Sequence, residues 1–140
     1  MGIELAPLCD FAEQVRRELG FPGDSVGVQF ISDGAMARLN RQFRGKRGPT
    51  DVLSFPIHDK KQRGRKSRAI SRRAHVGDIA ISPETAQRNA SRDCRPLDEE
   101  LRVLILHGMI HLAGYDHETD NGAMVKFENS LRRRFGLDRR

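Results

Sequence analysis

Three histidines, His107, His111 and His117, stand in the run His-Gly-Met-Ile-His-Leu-Ala-Gly-Tyr-Asp-His. On an α-helix, residues four apart differ by about 40° in direction and about 6 Å in height, so His107 and His111 project from one face and can converge on a single ion. Gly114 can adopt the backbone conformation that stops the helix, and the turn at Tyr115 and Asp116 can swing His117 back as a third imidazole. Three nitrogen ligands leave a fourth position open, which distinguishes a catalytic metal site from a closed structural one. Imidazole ligands suit zinc, and nickel, copper or iron would also accept them. The expectation is one catalytic transition-metal ion per chain, zinc first.

The same His-x3-His-x2-Gly-x2-His spacing occurs in a class of zinc proteases, where a glutamate directly after the first histidine serves as general base. Here that position is Gly108, which has no side chain to move a proton. Peptide hydrolysis by that mechanism is disfavoured, although an ion can still acidify bound water without the glutamate. Asp116 and Asp120 are near enough in sequence to orient the far nitrogen of a histidine. Either also suits a turn or a helix cap, and the cap suits Asp120 better.

The elements that must position these groups follow from periodicity and punctuation. Leu8, Phe11, Ala12, Val15 and Leu19 repeat at helical spacing before Gly20, predicting an amphipathic helix over about 7–19. Val26, Val28 and Phe30 alternate as in a half-buried strand, and Ser32 or Asp33 can cap a helix carrying Met36, Leu39 and Phe43 up to Gly45. Val52, Leu53, Phe55 and Ile57 form a β-prone run whose Pro56 marks an edge or a strand end. Val76, Ile79, Ala80 and Ile81 make another strand, and Ser82-Pro83-Glu84 starts a helix. After Pro96, apolar residues from Leu101 to Ile110 surround the helix axis, so the histidine-bearing helix is expected to be central and buried up to Gly114. Thr119 or Asp120 can cap a last helix with Met124, Phe127, Leu131 and Phe135 on one stripe.

A chain of 140 residues forms one domain, read here as spanning 1–140. Lys and Arg number 25 against 19 Asp and Glu, a net charge of +6 that favours a polyanionic partner, nucleic acid ahead of a membrane surface. Lys60, Lys61, Arg63, Arg65, Lys66, Arg68, Arg72 and Arg73 crowd a stretch nearly devoid of apolar residues, so 59–74 is expected to be a mobile basic loop, either simply solvated or in contact with a partner. No run approaches the roughly 20 apolar residues needed to span a bilayer, and the first residues lack a basic region followed by an apolar core. A cytoplasmic protein without membrane association is expected. Cys9 and Cys94 fit no Cys-x-x-Cys spacing, so reduced, mostly buried thiols are expected.

Three segments together resemble the YbeY family of bacterial rRNA-maturation endoribonucleases. They are Asn40-Arg41-Gln42-Phe43-Arg44-Gly45-Lys46 leading into Thr50-Asp51-Val52-Leu53-Ser54-Phe55-Pro56, then Gly77-Asp78-Ile79-Ala80-Ile81, then His107 to His117 with Glu118. The resemblance implies a single-domain α+β fold in a zinc-metalloprotease-like arrangement, with a small mixed sheet of about four strands packed against about five helices. It also implies metal-dependent cleavage of single-stranded RNA, in 16S rRNA 3′-end maturation and 70S ribosome quality control. The implied partners are rRNA and the small ribosomal subunit, with a ribosomal protein and a ribosome-associated GTPase. By position, His107, His111 and His117 are the zinc ligands and Arg44 joins them in the catalytic set. A guanidinium can hold a phosphate by paired hydrogen bonds, while a surface arginine closing a helix before Gly45 would look the same in sequence.

The chain departs from the family pattern in its short N-terminus, which leaves little room for a first strand, and in the long basic segment between Pro56 and Gly77. That segment can extend the RNA groove, making Lys46, Lys60, Lys61, Arg63, Arg65 and Lys66 candidate RNA contacts beside Arg44, whereas His75 belongs to local variation and not to the ligand set. Without Trp and with one Tyr, the composition argues against an aromatic stacking platform and for phosphate-driven, salt-sensitive binding. Two rivals remain: a zinc hydrolase of peptides or esters, and a ribosome assembly factor whose metal is structural.

Overall fold

The computed structural model describes residues 2–57, 75–115 and 121–137. In chain order they form α1 (Leu5–Leu19), β1 (Val26–Phe30), α2 (Asp33–Arg44), β2 (Val52–Pro56), β3 (Gly77–Ile81), α3 (Pro83–Arg92), α4 (Leu97–Leu112) and α5 (Ala123–Arg134). The sheet order is β1-β3-β2, with β1 parallel and β2 antiparallel to β3. Strand composition explains that order. The central strand reads Ile-Ala-Ile and buries all three side chains, because both faces are covered. Pro56 sits at the last paired position of β2, opposite Gly77, on an edge strand where a missing N–H can be tolerated.

The two faces of the sheet carry different amounts of core. Ile79 and Ile81 point into the main cluster with Leu101, Leu104, Ile105, Leu106, Met109 and Ile110 of α4, together with residues of α1, α3 and α5. Ala80 and Leu53 point the other way, onto Met36 of α2. Helix α4 is thus central, as its all-round apolar sequence predicts; ten of its 16 residues are buried.

Local signals place the ends of the elements. Ser32 Oγ accepts from Ala35 N–H at the start of α2, and Ser82 Oγ accepts from Thr85 N–H at the start of α3. The two starts also cap each other: Glu84 Oε1 accepts from Asp33 N–H at 2.8 Å, while Asp33 Oδ1 accepts from the hydroxyls of Ser82 at 2.6 Å and Thr85 at 2.7 Å. These hydroxyl bonds, that of Ser82 first, hold the Asp33 carboxyl below the ordinary carboxylate range.

Three expectations need correction. Three strands, not about four, are found among the described residues, since α1 begins at Leu5 and residues 2–4 before it are unpaired. Helix α4 ends as expected, with Gly114 just past the cap Ala113 at a positive φ of 103°, but α5 starts at Ala123 behind Gly122, whose positive φ of 85° suits glycine, and not behind Thr119 or Asp120, which lie outside the described residues. Cys9 and Cys94 are exposed free thiols and not buried ones. The apolar stripe of α1 that seats Leu8, Phe11 and Val15 turns Cys9 towards solvent, and Cys94 follows the end of α3 with a φ of 54°.

Candidate metal centre and basic surface

Helix α4 sets His107 and His111 side by side, as their spacing predicts, with ring centroids 4.7 Å apart and planes at 79°. Each Nδ1 meets an oxygen. His107 Nδ1 lies 2.7 Å from Glu128 Oε1 of α5, and His111 Nδ1 lies 3.0 Å from the backbone oxygen of Tyr115. A carboxylate and a carbonyl can only accept, so in the neutral imidazoles both Nδ1 atoms carry the proton and both Nε2 atoms carry the lone pair. That is the tautomer a metal ligand needs, fixed by partners of the kind that orient ligating histidines.

Glu128 was not anticipated. Its side chain is 13% exposed and faces inward beside Met124 and Leu131, so the signal in the sequence was a carboxylate on the apolar stripe of α5. Asp116 and Asp120, the expected orienting candidates, lie outside the described residues, as does the third expected ligand, His117. Among the described residues no group of three or more potential ligands comes together. The chain leaving α4 is nevertheless anchored two residues before His117, where Tyr115 stacks on Phe127 of α5 with centroids 4.9 Å apart. The donor chemistry present fits a transition-metal ion held by imidazole nitrogens.

Gly108, next to the first imidazole, is buried against the sheet. A Cβ there would stand 3.0 Å from Ile79 Cδ1 and Cγ2, and Ser54 Oγ of β2 donates to the Gly108 carbonyl at 3.2 Å. Position 108 is therefore committed to packing. His75 hydrogen-bonds through Nε2 to Asp78 Oδ1 at 2.9 Å, outside the α4 pair.

Arg44 is the last residue of α2 and is exposed, like Lys46 just beyond the cap Gly45. Helix α2 packs on the sheet face opposite α4, and no hydrogen bond or ion pair among the described residues joins Arg44 to either histidine. Lys60, Lys61, Arg63, Arg65 and Lys66, with the rest of 59–74, lie outside the described residues. No helix among the described residues is long and apolar enough to cross a membrane.

Fold and site together define a single-domain α+β protein built around a helix that presents two oriented imidazoles. Residues 7–136 match the family model described as endoribonuclease YbeY. The chain is 42% identical to the endoribonuclease YbeY of Koribacter versatilis over 97% of its own length and 80% of that protein, and 41% identical to that of Nautilia profundicola over 80% and 73%. The solution structure of TM1509 from Thermotoga maritima superposes with a TM-score of 0.56 at 28% identity, covering 94% of this chain and 83% of that one. The chain belongs to the YbeY endoribonuclease family.

Proposed function

We propose that this chain is a metal-dependent endoribonuclease that cleaves single-stranded RNA in the cytoplasm, acting in 16S rRNA 3′-end maturation and 70S ribosome quality control. The observation that carries the metal dependence is the pair of acceptor-only partners on the Nδ1 atoms of His107 and His111. In this reading the two Nε2 atoms and His117 hold one zinc ion. When bound, it supplies Lewis acidity towards a phosphoryl oxygen. Glu128 and the Tyr115 carbonyl keep the rings in place, and Arg44 grips phosphate by paired hydrogen bonds. The basic residues around Arg44 and in 59–74 hold the strand, with rRNA on the small subunit as substrate and a ribosomal protein and a ribosome-associated GTPase as partners.

Peptide hydrolysis by the protease mechanism is the weaker alternative, because position 108 has no carboxylate and a Cβ there would press on Ile79 at 3.0 Å. A purely structural metal is the other. Metal-loaded protein incubated with single-stranded RNA and with casein separates them: RNA cleavage abolished by His111→Ala in a folded protein is expected. RNA left intact under several metals overturns the proposal, and global unfolding of His111→Ala favours the structural ion. The termini of the cleaved RNA show whether water or the ribose 2′-hydroxyl attacks.

A further inference from the structure

Phe43 is not used by the chemistry proposed above, and its setting is unusual. The apolar side of α2 is seated on the sheet through Met36 and Leu39, but Phe43, one turn beyond Leu39, is 57% exposed. Its ring is braced by Phe55 of β2, with centroids 5.1 Å apart and planes at 71°. Arg41, Arg44, Lys46 and Arg47 surround it in sequence, all exposed. None of the four side chains enters an ion pair or hydrogen bond among the described residues.

The turn that carries two of these cations is fixed to the helix end. Gly45 N–H bonds to Arg41 O at 3.0 Å, Lys46 N–H to Asn40 O at 3.3 Å, and Asn40 Nδ2 donates to Gly48 O at 2.9 Å. Cations and ring are thus held in a set relation instead of being spread along a loose segment. An exposed, braced aromatic ring among unneutralised cations complements a polymer that offers flat π-faces between anionic groups. Single-stranded nucleic acid does so, whereas a duplex hides its base faces in the stack.

We infer that Phe43 is a stacking platform for one unpaired base of the bound RNA strand, with Arg41, Arg44, Lys46 and Arg47 holding the flanking phosphates. This rests on the RNA reading proposed above. It also amends the expectation drawn from the lack of Trp and the single Tyr, since a phenylalanine offers the same kind of face.

The test measures binding, with a chelator present so that no cleavage intervenes. Fluorescence anisotropy with a labelled single-stranded RNA of about eight nucleotides should show Phe43→Leu binding about tenfold more weakly than wild type, and Phe43→Tyr within about twofold of it. The slope of log affinity against log salt should be the same for all three, because the number of phosphates held is unchanged. An abasic substitution scanned along the strand should, at one position, weaken wild type and leave Phe43→Leu unaffected; used on wild type, it tests the stack even if the leucine variant folds poorly. Affinity of Phe43→Leu equal to wild type, or no abasic position that matters, overturns the inference alone. Wild-type protein that binds no single-stranded RNA overturns the functional proposal as well.

Discussion

The two faces of the sheet divide the work of the molecule. On the α4 side, Ile79 and Ile81 join a continuous core reaching from Leu8 of α1 to Leu131 of α5, and the imidazoles stand on the helix which that core surrounds. On the α2 side the buried apolar side chains among the described residues are Met36, Leu53 and Ala80, and the helix runs on to an exposed ring and exposed cations. In the proposed reading the imidazoles are metal ligands, which must be held within fractions of an ångström, and a well-packed central helix supplies that. A flexible polyanion, the partner proposed for the α2 end, asks less of its contacts, and a thinly buried helix end would meet that need.

The largest effect that can break this contrast is a core truncation. Leu106→Ala, at a fully buried site in α4, should cost about 3 to 5 kcal/mol, and Met36→Ala, equally buried but in the smaller cluster, about 2 kcal/mol. Urea midpoints that reverse this order would remove the asymmetry. Next comes the support of the imidazoles: Glu128→Ala should weaken zinc binding about 10- to 100-fold in a competition titration, with Glu128→Gln restoring most of it because its amide oxygen can still accept from His107. Equal affinity of the alanine variant and wild type would mean that His107 needs no such partner.

A smaller effect belongs to the joint between α2 and α3. Because the Asp33 carboxyl is held below its ordinary range, it contributes stability above that range and loses it as pH falls through the lowered value. Asp33→Asn should cost about 1 kcal/mol at neutral pH and shrink to nothing in acid, measured as denaturant midpoints against pH. Glu100 works in the opposite sense. Burial pushes its carboxyl up against the pull of Arg95, so its contribution is present at low pH and is lost as pH rises through the raised value. Smallest of all, Phe43→Leu should change folding stability by no more than about 0.5 kcal/mol, as at an ordinary exposed site. A large loss there would place Phe43 in the core of the α2 face after all.

What could be read in advance was mainly local. The paired imidazoles, the buried run of α4, and the caps at Ser32 and Ser82 each depend on residues within a turn or two of one another. Glu128 was missed because it reaches His107 across 21 residues through the packing of α5 on α4. The burial expected of Cys9 failed for a related reason: residue type predicts how often a side chain is buried, whereas the stripe of α1 decides which way it faces. Phe43 lies on the helical stripe expected of it, but nothing local reveals that Leu39 is the last position there to pack into the smaller core.

Gly108 carries a consequence for ancestry and design. The histidine-bearing helix shares its spacing with a protease class that needs a carboxylate at this position, yet here the helix backbone rests directly on Ile79. The Cβ of a glutamate here would meet the Ile79 side chain at 3.0 Å, so Ile79 would have to give way by a few tenths of an ångström. A smaller side chain at position 79 would therefore ease the entry of a base at 108. A library varied at both positions and selected only for folding should recover larger side chains at 108 together with smaller ones at 79.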